Sequence, residues 1–106
     1  MKLIITESQK NKIVKKLIFK HLDKQNYNQI EIRDNINFVK NIGDEYADIR
    51  FDKRDDWCYI NYELISFYSR MMGVKGTDIE DIIGRWVEHT LQIKVKYTLP
   101  QRGMVV

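Results

Sequence analysis

The chain has 106 residues, 43% of them apolar and 31% charged, with a formal net charge of +3. That length allows one domain, burying about 65% of the surface its unfolded form exposes, and leaves no room for a second. Cys58 is the single cysteine, which excludes an internal disulfide. Together with His21 and His89 it falls short of the four ligands of a structural zinc site. No stretch reaches the roughly 20 apolar residues of a membrane span. The short apolar run at 3–5 is too brief for a secretory signal, so the expectation is an intracellular or packaged protein.

Charge is unevenly spread. Residues 1–29 carry seven lysines against Glu7 and Asp23, residues 30–91 are net acidic, and the remainder adds Lys94, Lys96 and Arg102. Basic ends therefore flank an acidic middle.

In chain order, residues 2–5 read as a short strand. Thr6 and Gln9 then form a capping box that starts a helix at Glu7. Ile13, Val14, Leu17, Ile18 and Leu22 recur at helical spacing, and the helix fades near Asp23. Residues 30–33, 36–39, 46–51 and 57–60 are short β-branched and aromatic runs between turn residues, the pattern of an antiparallel meander. Asn61 caps a second helix over 62–72, whose inward residues are expected to be Leu64, Phe67, Tyr68, Met71 and Met72, with Gly73 as its stop. Thr77 and Glu80 suggest another capping box, opening a third helix with Ile79, Ile82, Ile83, Trp86, Val87, Thr90 and Leu91 on one stripe. Residues 92–99 alternate as a half-buried strand that Pro100 ends, and 101–106 read as a mobile tail. The expected fold is a single α+β domain over 1–100, an antiparallel β-meander with an N-terminal helix and a C-terminal helix pair, in the order β-α-β-β-β-β-α-α-β.

No strong catalytic motif is present: there is no Gly-rich phosphate loop, no G-x-S-x-G and no H-E-x-x-H. Asp48, Asp52, Asp55 and Asp56 form the densest acidic cluster. Strand alternation puts Asp48, Arg50 and Asp52 on a solvated face, as ordinary surface and turn residues, so no metal site is assigned. Cys58 alternates with Trp57 and Tyr59 and points inward as an inert hydrophobe, and His21 lies on the apolar stripe of the first helix, where a hydrogen-bonded core histidine is expected. No catalytic residue and no cofactor is assigned.

The first helix carries the candidate binding surface. At 100° per residue, Lys12, Lys15, Lys16 and Lys20 fall opposite its apolar stripe with Phe19 among them. A ring framed by ammonium groups suits an acidic protein partner, or nucleic acid by stacking and phosphate contact. The helix pair joined by residues 73–76 could suggest a helix-turn-helix, but Asp78, Glu80 and Asp81 would meet the DNA and repel it.

Two segments carry a resemblance. The opening Lys2-Leu3-Ile4-Ile5-Thr6-Glu7-Ser8-Gln9 resembles the start of many small uncharacterised proteins of tailed bacteriophages. Residues 85–92, Arg85-Trp86-Val87-Glu88-His89-Thr90-Leu91-Gln92, are similar to a helix-to-strand ending in proteins of that kind. The resemblance implies a phage origin, in a virion or the host cytoplasm, and no catalytic residue; the Ile, Lys and Asn-rich usage is compatible with it. The expected function is a non-enzymatic interaction module, a minor virion or assembly component or a binder of a host factor. The alternative is a nucleic-acid-binding accessory protein using the basic helix face.

Overall fold

The computed structural model describes residues 6–106; the strand expected at 2–5 lies outside them. The elements are α1 (Glu7–Lys24), β1 (Asn28–Ile32), β2 (Asn35–Val39), β3 (Ile49–Asp52), β4 (Trp57–Asn61), α2 (Tyr62–Met72), α3 (Gly76–Leu91) and β5 (Tyr97–Gln101). They build one α+β domain around a five-stranded sheet of order β1-β2-β3-β4-β5.

The first four strands are antiparallel neighbours. A two-residue turn joins Ile32 to Asn35 with Arg33 at φ +55°, and the β3–β4 loop closes with Asp56 at φ +61°. Aspartate tolerates that left-handed conformation better than most residues. β5 instead runs parallel to β4, with Trp57 opposite Tyr97 and Asn61 opposite Gln101. Parallel neighbours require a crossover, and α2 with α3 supplies it.

Local signals place the helices well. Thr6 and Gln9 make the expected capping box on α1. Asn61 accepts from the Glu63 N–H at the start of α2, and Gly73, at φ +65°, ends it with its N–H bonded to the Ser69 carbonyl. The third helix departs from expectation: it begins at Gly76, ahead of Thr77, with Lys75 as its N-cap and no side-chain cap. The last strand departs further. Gln92 turns the chain at φ +55°, and the Ile93 and Val95 N–H groups are tied to the Glu88 carbonyl and carboxylate, so the segment after α3 is an arch and pairing starts at Tyr97. Pro100 lies within β5, where an edge strand tolerates its missing N–H.

Side-chain alternation gives the sheet two faces. Phe38, Ile49, Phe51, Cys58 and Ile60 face the helices and meet Val14, Ile18 and Leu22 of α1, Ile65 and Tyr68 of α2, and Ile79, Ile83, Trp86 and Val87 of α3. The expected inward faces of α1 and α2 are partly overturned: Ile13 (49%), Leu17 (47%), Phe67 (43%) and Met71 (49%) stay exposed. On the opposite face the segment 101–106 is no loose tail. Met104 is 2% exposed against Val39 and Ala47, its carbonyl accepts from the Ala47 N–H, Val105 bridges Tyr46, and the Val106 N–H reaches Glu45. A buried methionine offsets the entropy of ordering those residues.

Two substitutions test this packing. Gly84 lies where α3 crosses β5, and a Cβ there would sit 2.6 Å from the Thr98 Cγ2 methyl. Alanine gains about 1 kcal/mol of helix propensity but overpacks a stiff β-branched neighbour by about 1–3 kcal/mol. Gly84→Ala should therefore lower the urea midpoint, and Thr98→Ser in the same chain should restore it. Met104→Ala should destabilise by about 2–4 kcal/mol in the same assay, whereas a loose tail would leave the midpoint unchanged.

Candidate functional site

Lys12, Lys15, Lys16 and Lys20 are exposed on α1, but Lys20, expected opposite the apolar stripe, lies about 20° from Ile13 on the helical wheel and so borders it. Phe19 is not presented among them. It is half-buried against the core, its ring is 6.4 Å from that of His89 on α3, and Lys15 Nζ lies 5.5 Å from its centroid. The helix is rolled toward α3, which covers Phe19 and leaves Ile13 and Leu17 at the surface.

That roll creates a different surface. Lys10 Nζ donates to the Gly73 carbonyl at 3.4 Å, and His21 Nδ1 is hydrogen-bonded to the Tyr68 hydroxyl at 2.6 Å, with the His21 and Phe67 rings 5.9 Å apart. The start of α1 therefore meets the end of α2, and the two helices share an edge. Ile13 and Leu17 flank Lys10 and His21 on the solvent side of that edge, as Phe67 and Met71 flank Tyr68. On the helical wheel Lys20 and Lys24 fall within about 20° of Ile13. The result is a strip of exposed apolar side chains from two helices with lysines set among them, Lys24 falling between Ile13 and Leu17 on the wheel and Lys20 just outside Ile13.

Beside His21 and Phe67 is a cavity of about 280 Å³ lined also by Tyr27, Asp48, Glu63 and Tyr68, among others. The Tyr27 hydroxyl donates to Asp48 Oδ2 at 2.7 Å. Burial first, then the Asp48 charge, pushes the Tyr27 hydroxyl far above its ordinary range, and the same two causes raise that of Tyr68. Both phenols stay protonated, with their hydrogen bonds made inside the wall. His21 is thus held as the bonded histidine that its place on the apolar stripe implied. Burial likewise pushes the Cys58 thiol up to about 12, leaving it unreactive as a nucleophile.

The acidic cluster is dispersed. Asp48 faces Tyr27, Asp55 accepts from the Trp57 N–H, and Asp52 is gripped by Arg54 through Nε at 3.1 Å and Nη2 at 2.9 Å. Among the described residues no three His, Cys, Asp or Glu side chains are grouped to hold a metal ion. Asp52, expected on the solvated face, is buried: the Arg54 side chain folds over it and satisfies both oxygens.

A second feature joins residues far apart in sequence. On the face of the sheet away from the helices, Trp57 lies 6.4 Å from Tyr59 and 5.6 Å from Tyr97, ring to ring. Alternation marks Trp57 and Tyr59 as outward, but only the β4–β5 register brings Tyr97 beside them.

The Arg54 side-chain hydrogen bond, opposed by desolvation, holds the Asp52 carboxyl below its ordinary 3.8. A depressed value stabilises the fold above the unfolded-state value, and that contribution is lost as pH falls through the folded-state one. The urea-midpoint difference between wild type and Asp52→Asn should be widest at neutral pH and narrow as pH drops below 3.8; a constant difference would show that the pair carries no such linkage. Compared with protein-family models, with curated proteins and with solved structures, the chain shows no match.

Proposed function

We propose that the chain is a non-enzymatic interaction module that docks an acidic amphipathic segment of a protein partner along the α1–α2 strip. The observation that carries this is the joint exposure of Ile13, Leu17, Phe67 and Met71 beside Lys20 and Lys24. Contiguous apolar surface bordered by charge is what docking surfaces present, and the lysines select an acidic partner and speed its approach. The resemblance of the chain's two segments to phage proteins favours reading such a module as part of a virion, its assembly or the host cytoplasm, with the chain itself or a virion or host protein as partner. The basic face of α1 is a poorer nucleic-acid site than its sequence implies, because the Phe19 ring is taken up by the core and Lys15.

The test is co-purification from nuclease-treated lysate, followed by titration of the purified partner. Leu17→Asp and Lys20→Glu/Lys24→Glu change exposed positions and should leave the urea midpoint near wild type. The expected result is a partner with an acidic amphipathic segment, bound about tenfold or more weakly by Leu17→Asp and with reduced salt dependence by the lysine variant. Equal binding by Leu17→Asp, or material that vanishes with nuclease, overturns the proposal. So does a wild-type dimer that Leu17→Asp dissolves, since the strip's occupant would then be a second copy.

A further inference from the structure

The α1–β1, β2–β3 and β4–α2 connections meet at one end of the sheet, because β1 to β4 alternate in direction. The cavity of about 280 Å³ beside His21 and Phe67 lies there. Tyr27 reaches it from the first connection and Lys40 and Asp48 from the second, while Glu63, Phe67 and Tyr68 come from α2. Asp48 is fixed from three directions. Its N–H donates to the Phe38 carbonyl at 3.0 Å, its own carbonyl accepts from the Asn61 N–H at 2.8 Å, and its Oδ2 accepts from the Tyr27 hydroxyl at 2.7 Å. Tyr68 is wholly buried in the wall, its ring 5.3 Å from that of His21, whereas Phe67 is 43% exposed at the opening.

Asp48 is half-buried, yet it belongs to none of the ion pairs among the described residues. Asp52, at the other end of β3, has Arg54 on both oxygens. Asp48 has only a neutral phenol on Oδ2, and among the described residues no hydrogen bond reaches its Oδ1. A carboxylate partly withdrawn from water without a counter-ion carries a cost that an arriving cation removes. Its charge is felt across the wall: after burial, it is the next cause raising the Tyr27 and Tyr68 hydroxyls. Glu63 adds a second acid, exposed and likewise outside every ion pair among the described residues. Against these two stands one lysine, Lys40, which is exposed and paired with neither.

We infer that this cavity seats a compact organic ammonium ion, its charge on Asp48 and its apolar body against the Tyr27, Phe67 and Tyr68 rings. A charge-assisted hydrogen bond to a fixed carboxylate, with aromatic rings around the cation, is how proteins hold ammonium groups. The volume lies just below the usual range of small-molecule sites and so suits a small ligand. An anion would meet Asp48 and Glu63, and a neutral molecule would leave Asp48 without a counter-ion. A metal ion is not favoured, since among the described residues no three suitable side chains are grouped. A free amine and the lysine side chain of a partner share the ammonium chemistry, and the test separates them. The inference does not rest on the α1–α2 strip, although Phe67 borders both.

The experiment is an NMR titration of the full chain, following backbone amides at about 150 mM salt. Three probes of one size and different charge are compared: phenethylammonium, phenethyl alcohol and phenylacetate. Nα-acetyl-lysine amide stands for a partner's lysine. Phenethylammonium should bind with a Kd of about 1 mM or tighter, shift the amides of Asp48, Asn61 and Phe67, and bind more tightly than the alcohol or the carboxylate. Tighter binding of phenethylammonium than of the lysine amide assigns the site to free amines, and the reverse assigns it to a lysine side chain. Asp48→Asn, which still accepts from Tyr27, should weaken the ammonium about tenfold or more. Glu63→Gln, at an exposed position that leaves the fold intact, should weaken it about two- to fivefold, and Lys40→Gln should tighten it. Leu17→Asp should leave the affinity at the wild-type level, which separates this site from the strip. The inference is overturned if no ammonium probe binds, if the alcohol or the carboxylate binds as tightly, or if Asp48→Asn with an unchanged urea midpoint binds like wild type. Should Asp48→Asn fail to fold, wild-type affinity in Glu63→Gln together with shifts confined to other amides overturns it as well.

Discussion

Trp86 is the side chain through which the separate pieces of this chain fix one another. It belongs to α3, yet its indole N–H donates to Asp23 Oδ1 near the end of α1 at 2.9 Å, and its ring lies 5.5 Å from Phe38 of β2 and 6.0 Å from Tyr27 in the α1–β1 loop. Tyr27 in turn reaches Asp48 at the entry to β3. Truncating a buried tryptophan removes about 3–5 kcal/mol where a domain holds only about 5–15 kcal/mol in all. The position of α1, and with it every surface on that helix, depends on this contact.

How much of the molecule could be read beforehand follows from the range of the forces involved. Asn61, Gly73 and the Thr6–Gln9 pair act within one helical turn, so α2 and the start of α1 are legible from the sequence. The start of α3 is misread because the Thr77–Glu80 pattern satisfies the same local rule that Lys75 meets without a side chain. Residues 92–95 alternate like a strand, but Glu88, four residues before Gln92, captures their N–H groups first. The burial of Met104 depends on Val39 and Ala47, more than fifty residues away, and no local pattern encodes it.

The candidate surfaces follow the same division. Periodicity identifies the lysine face of α1, but it cannot give the helix roll, which α3 and α2 decide; Phe19 and Leu17 exchange roles as a result. Trp57 and Tyr59 are visibly outward, while Tyr97 joins them only through a parallel pairing across two helices. One layer of helices on one face of a sheet leaves the other face to be closed by whatever the chain has left, here the residues after β5. Among the described residues they close one corner and leave the β4–β5 border uncovered, so the two sides of the domain present unlike chemistry, aliphatic between helices and aromatic across strands.

Cys58 lies on β4, which is flanked by β3 and β5, and its side chain is wholly buried beneath the helices. It is the one thiol in the sequence, and burial keeps it protonated. An alkylating reagent can reach that sulfur only when the helical layer lifts from this part of the sheet. Its labelling rate under native conditions therefore reports the opening of that layer, at one position written into the sequence and requiring no engineered probe.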